Sequence, residues 1–324
     1  WTILRFGRTP TGALNSNPAY GGSGLDCDKH RAEAVDFQWR HALSPYFDDP
    51  DIAPHIDGVH IDSWEVGAQN WSKGFGDAFE QRTGYDLRRL LPAMTGRVVG
   101  DLEISERFLG AVRRVVTGLI ADEYFAHTRD RAAEAGALFS NEPYHQNQFD
   151  SSDVGMRVDV PMCEVWRGDR VTPEFWAKLG ASPAHVAGRN IVGCESFTSN
   201  TRPEDGGDWS TDFDDQKLTA NVIFAGGVNR MVFHVSAHQP WMDVAPGMTV
   251  GGCGQHFERT NPLWCHGAPA FNRYVSRCQY LLRQGRFVAD VLYSCGEDSP
   301  SKSLHVKGDL HPGRGYDYDV ASPE

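Results

Sequence analysis

Four glutamates stand at the ends of short apolar runs, each beside an aromatic, proline or hydroxyl residue. They are Glu65 in His60-Ile-Asp-Ser-Trp-Glu65, Glu142 in Leu138-Phe-Ser-Asn-Glu142-Pro-Tyr, Glu164 in Val160-Pro-Met-Cys-Glu164-Val-Trp166, and Glu195 in Ile191-Val-Gly-Cys-Glu195-Ser-Phe-Thr. A carboxylate that finishes an apolar strand sits at the rim of a sheet or barrel, where ligands bind. Paired carboxylates beside Trp and Tyr suit glycoside hydrolysis, in which one acid protonates the leaving oxygen and a second activates water or attacks directly. The acid must stay protonated near neutral pH, which takes an apolar wall or a neighbouring negative charge. Glu65 follows Asp62 by three residues and has Trp64 and Trp71 nearby in sequence, so a raised proton affinity is expected there.

Other residues could serve a sugar. Trp166 offers a flat apolar face for a pyranose ring. His234 and His238 lie four apart in Val232-Phe-His234-Val-Ser-Ala-His238-Gln-Pro-Trp241, a pattern of strand then loop. They read as hydrogen-bonding partners of sugar hydroxyls or supports for the acids, since a zinc pair at this spacing belongs on a helix. The acidic, Gly-rich stretch Asp205-Gly-Gly-Asp-Trp-Ser-Thr-Asp-Phe-Asp-Asp215 lacks EF-hand spacing and reads as a solvated loop entering a helix. No Gly-x-Ser-x-Gly elbow supports a serine hydrolase.

The elements that must carry these residues alternate. Strands are expected at 1–6, 58–61, 138–141, 158–163, 190–194, 228–234 and 288–293. Helices are expected at 28–43, 77–91, 105–135 (capped by Ser105 and ended by Gly136), 173–179, 184–189, 214–225 and 269–283. Such alternation implies a parallel sheet with right-handed crossovers. The absence of a Gly-x-Gly-x-x-Gly or Walker sequence, and site residues that follow many different strands, favour a (β/α)8 TIM barrel over a doubly wound sheet. About seven strands leave one missing, most simply the first. The chain opens on Trp1-Thr-Ile-Leu without Met, and Tyr316-Asp-Tyr-Asp-Val reads as cut mid-structure, so a fragment is expected. Residues 1–298 are assigned to the catalytic barrel and 299–324 to a following segment or accessory domain.

A formal charge of −12 argues against nucleic acid and anionic membranes, and suits a neutral substrate. No run of 18 apolar residues could span a membrane. Seven cysteines without a Cys-x-x-Cys pair make a zinc ribbon unlike this chain, and Cys163 and Cys194 read as small core residues.

Several longer motifs resemble glycoside hydrolase family 106, the large bacterial α-L-rhamnosidases. They are Thr11-Gly-Ala-Leu-Asn-Ser-Asn-Pro18, Asp28-Lys-His-Arg-Ala-Glu-Ala-Val35, Asp62-Ser-Trp64-Glu65-Val-Gly-Ala-Gln-Asn70-Trp, Thr83-Gly-Tyr-Asp-Leu87, Cys194-Glu-Ser-Phe-Thr-Ser199, Gly227-Val-Asn-Arg-Met-Val-Phe-His234 and Arg277-Cys-Gln-Tyr-Leu-Leu-Arg-Gln-Gly285. The resemblance implies a (β/α)8 catalytic barrel, inverting hydrolysis of terminal α-L-rhamnosides in plant-type polysaccharides or glycosides, and a calcium ion at the active site whose ligands stay unassigned. It also implies β-rich accessory domains and a periplasmic or extracellular location. By the same resemblance Glu65 is the general acid, Glu195 the general base and Glu164 a third essential carboxylate. Asp62, Trp64, Asn70, Glu142, Trp166, His234 and His238 would contact the sugar. Two alternatives stay open: a retaining clan A glycosidase that uses Glu142, whose Asn141-Glu142-Pro143 resembles that clan's acid/base, and a non-catalytic carbohydrate-binding barrel.

Overall fold

The computed structural model describes residues 2–15, 18, 20–144, 149–166, 173–199, 211–249, 255, 257–295 and 311–323. Five short strands form one parallel sheet in the order of the chain: β1 Gly58–Ile61, β2 Leu138–Asn141, β3 Val160–Trp166, β4 Gly193–Thr198 and β5 Arg230–Phe233. The sheet curls as half a barrel. Glu164 and Glu195 lie within β3 and β4, two and three residues respectively before their last residues, rather than past the strand ends as the sequence suggested.

The helices follow as crossovers. Helices α1 Ala32–Gln38 and α2 Ser44–Phe47 precede β1. Between β1 and β2 run α3 Phe75–Thr83, α4 Leu102–Leu119 and α5 His127–Glu134; α6 Ser151–Arg157, α7 Pro173–Val186 and α8 Phe213–Ala225 fill the next three connections. Helices α4 and α5 form one rod through a widened π stretch, Ile120–Ala126. Its cap is Asp101, whose carboxylate accepts from Ile104 N at 2.7 Å, and not Ser105, whose buried hydroxyl bonds back to Val99 and Asp101. Gly136 ends the rod at φ 79°, as its sequence position suggested.

Helix α7 is a single element where Pro183 suggested two. Its ring fits because Gly155 of α6 has no side chain: a Cβ there would lie 2.7 Å from the ring. The inner face of α7 (Ala177, Ala181, Ala184) packs on Cys163, Val165 and Cys194 of β3 and β4. Small residues bring helix and sheet so close that a Cβ on Gly180 would meet the Met162 carbonyl carbon at 2.8 Å.

Two expected strands differ. Residues 2–6 pair with nothing described, and Ile3 is 91% exposed. The expected last barrel strand, β6 Val291–Ser294, leaves the main sheet and pairs in parallel with β7 Tyr318–Ala321 after helix α9 Pro262–Leu282. The outer face of α7 holds β7: Lys178 bonds Asp317 at 2.8 Å, and Ser182 and His185 bond Asp319 at 2.9 and 3.1 Å. The boundary expected at residue 298 falls between β6 and β7; residues 299–310 and 205–210 lie outside the described residues.

Candidate active site

The C-terminal ends of β1 to β4 carry the chemistry. Asp62 follows β1, and Glu142 follows β2, whose last residues Ile61 and Asn141 are in register. Glu164 and Glu195 are register partners on neighbouring strands. Period-2 alternation then puts His60 on the same face as Asp62. Four carboxylates therefore gather on one rim, and no described Lys or Arg makes an ion pair with any of them.

Electrostatics follow from that gathering. Glu142 is 1% exposed, and its carboxyl is held well above the ordinary glutamate range, by burial first and then by the charges of Asp62, Glu195 and Glu164. Only the Tyr144 hydroxyl, donating to Glu142 Oε2 at 2.8 Å, works the other way. Glu164 is pushed up to about 8 by burial, by the charge of Glu195 and by a hydrogen bond to Glu195, against the bond that Trp166 Nε1 donates to it. Tyr144 also donates to Glu164 Oε2 at 3.4 Å. At neutral pH Glu164 thus keeps its proton. Thr198 Oγ1 donates to Glu195 at 2.5 Å, and the His234 ring lies 3.8 Å from it, beyond hydrogen-bond reach.

The remaining candidates divide. Trp64 does not face a ligand; it is 4% exposed, its ring edges meet Tyr124 and Phe149, and its Nε1 donates to Gly67 O at 2.7 Å. Trp71 packs on Phe75 at 4.6 Å. Of the apolar wall expected over Glu65, Trp64 is therefore turned into the core, while Trp71 is half-buried with one face on Phe75. Glu65 itself is exposed, with the Ser63 hydroxyl donating to it at 3.3 Å. Asn70 is exposed on the same loop. Trp166 serves Glu164 as a hydrogen-bond donor. His234 is half-buried beside Glu195, whereas His238 is exposed and pairs through its backbone with Met248. Sequence reasoning missed His60 and Tyr144, both two residues from a recognised acid and so on its face of an extended chain.

His60, Asp62 and Glu142 offer ligand atoms that all lie within 4.8 Å of one another. Glu142 Oε1 and Asn141 Oδ1 are buried without a hydrogen-bond partner among the described residues. The oxygens of Asp62, Glu142 and Asn141 fit a hard cation such as calcium, while the His60 nitrogen is not a ligand of the calcium type.

Acids paired across strands at the rim of a curled parallel sheet, with tryptophan and tyrosine hydroxyl and ring donors, define a glycoside hydrolase type of site. The family model described as alpha-L-rhamnosidase, glycoside hydrolase family 106, matches residues 1–324, and the chain belongs to that family. A rhamnosidase from Novosphingobium sp. PP1Y superimposes with a TM-score of 0.82 at 31% identity, over 96% of this chain and 30% of that one. A Formosa agariphila protein named "Putative beta-glucuronidase" is 40% identical over 99% of this chain and 27% of its own length. The chain thus spans less than a third of either relative. A beta-galactosidase from Rahnella sp. R3, at 13% identity and a TM-score of 0.57 over 93% of this chain and 50% of its own, shares the fold alone.

Proposed function

We propose that this protein hydrolyses terminal α-L-rhamnosides with inversion, using Glu65 as acid and Glu195 as base. The register pairing of Glu164 with Glu195 on neighbouring strands carries this reading. Side chains paired on strands about 4.8 Å apart sit side by side, short of the roughly 6.5–9.5 Å that inversion needs across a glycosidic bond. The two therefore act as one unit on one face of the sugar. Burial and the charge of Glu195 raise the Glu164 carboxyl, and Glu195, which accepts from Thr198, is assigned the base. The acid comes from elsewhere on the rim. Glu142 is sealed from substrate, whereas Glu65 is exposed on the loop after Asp62.

Calcium, when bound, would fix sugar hydroxyls and offset the rim's negative charge, with Asp62 and Glu142 as oxygen ligands. Trp166 and Tyr144 orient Glu164, and Thr198 orients Glu195. A glucuronide is disfavoured, because its carboxylate would meet the rim acids Asp62, Glu164 and Glu195, none of which makes an ion pair with a described Lys or Arg. The half-barrel is read as part of a (β/α)8 barrel in a longer protein with accessory domains, acting on rhamnose-containing glycans outside the cytoplasm.

The test is proton NMR of an aryl α-L-rhamnoside during turnover, with and without EDTA, beside an aryl β-glucuronide. β-Rhamnose released first, and lost with EDTA, is the expected result. α-Rhamnose first would move the chemistry to a retaining mechanism, and cleavage of the glucuronide alone would overturn the substrate.

A further inference from the structure

The N-terminal segment takes no part in the carboxylate rim, yet it is built against the loop that carries Glu65. Leu14 and Leu25 bridge, and Asp26 N donates to Ala13 O at 3.0 Å, closing a hairpin. Gln69, four residues after Glu65, clamps the end of that hairpin: its Nε2 donates to Cys27 O at 2.7 Å and its Oε1 accepts from Lys29 N at 3.0 Å. Lys29 is buried, pairs with Asp26, and lies over the rings of Trp64 and Tyr124 at 5.0 and 5.3 Å. The Glu65 loop and the hairpin are thus one packed unit.

Between them lies a cavity of about 450 Å³, lined by Arg8, Thr11, Asp28, Gln69, Trp71 and Ser72 among others. That volume lies in the range of small-molecule sites, roughly 300–1,000 Å³. Its walls combine one flat indole with a carboxylate, an amide, hydroxyls and a guanidinium. An aromatic face for ring C–H groups, surrounded by short polar side chains, is what a neutral pyranose requires. Asp26 is neutralised by Lys29, so the free charges lining the cavity are Arg8 and Asp28, of opposite sign.

We propose that this cavity binds the sugar on the leaving-group side of the scissile bond. It rests on the hydrolase reading above: the acid that protonates the leaving oxygen is on the same loop as Trp71, so a sugar attached to that oxygen extends towards the hairpin. The motifs at 11–18 and 28–35, whose described residues contribute nothing to the carboxylate rim, then have a role in choosing the leaving group.

Calorimetry on the Glu65→Gln protein tests this, with methyl α-L-rhamnopyranoside and an α-L-rhamnosyl disaccharide as ligands. Adding Trp71→Ala is expected to weaken the disaccharide roughly 3- to 10-fold, the scale of one aromatic contact, and to leave the methyl glycoside within about twofold. Arg8→Ala, at an exposed position where folding is not at stake, is expected to act on the disaccharide alone. Equal effects on both ligands, or none on the disaccharide in either variant, overturn the subsite while rhamnoside binding keeps the hydrolase reading intact. Failure of Glu65→Gln to bind either rhamnoside overturns the hydrolase reading and the subsite with it.

Discussion

Glu164→Gln isolates the electrostatics of the rim. In the folded chain Glu164 keeps its proton to about pH 8, whereas an ordinary glutamate releases it near 4.5. At 1.36 kcal/mol per pH unit the gap corresponds to roughly 5 kcal/mol, an upper bound that solvent at the half-buried side chain and relaxation of its neighbours bring towards about 2–4 kcal/mol. The sign is fixed by which state holds the proton. Between pH 4.5 and 8 the folded protein binds one more proton than the unfolded chain, so stability falls as pH rises through that window and levels off above it. Glutamine keeps an N–H to offer Glu195 and an oxygen to accept from Trp166, but has no proton to lose. The variant should therefore match the parent near pH 4 and gain on it by up to about 1.4 kcal/mol per pH unit, most clearly at pH 6–8. Urea denaturation of both proteins from pH 4 to 9 measures the difference. A gap that stays constant over that range would refute the claim that Glu164 holds the pair's proton.

Two further outcomes follow from particular residues. Glu65→Gln should lower turnover at least about 10²-fold for a sugar leaving group and much less for a nitrophenolate, which needs little protonation, with methyl rhamnoside affinity nearly unchanged; equal losses on both substrates would remove Glu65 from the acid role. Gly180→Ala puts a Cβ 2.8 Å from the Met162 carbonyl carbon and 3.1 Å from Cys163 N, backbone atoms that cannot swing aside. It should cost about 1–3 kcal/mol in denaturant unfolding and displace β3 with Glu164; an unchanged midpoint would contradict the tight α7–sheet packing.

The parts of this fold that sequence reveals are those set by local chemistry. The strand–helix alternation, the Gly136 stop and the apolar faces of α4 are readable because a turn, a cap or a 3.6-residue period states them. Elements decided by distant partners are not. Pro183 reads as a helix break until Gly155, on another helix, is seen to leave room for its ring. β6 reads as a barrel strand, yet Lys178, Ser182 and His185 on the outer face of α7 hold its partner β7 away from the sheet. Trp64 reads as a pocket wall because it adjoins Glu65, although alternation along an extended chain turns neighbouring side chains to opposite faces.

The same distinction governs the site. The type of residue and its position near a strand end mark Glu142, Glu164 and Glu195 as rim acids, and alternation by two would have added His60 and Tyr144. What no single strand records is the stagger between strands, and the proposed mechanism depends on it. Shifting β4 by two residues against β3 would keep every side chain on its face and leave the core pattern intact. It would also carry Glu195 about 6–7 Å along the strand, at roughly 3.3 Å per residue. The carboxyls would then be separated along the strands, rather than side by side as register partners. Val192, clamped by Asn229 Oδ1 at 3.0 Å, and Gly193, where a Cβ would meet Met162 Cγ at 2.3 Å, pin that stagger at the strand's start. Residues at the floor of the sheet thereby set how the acids at its rim lie against one another, which the proposed mechanism requires.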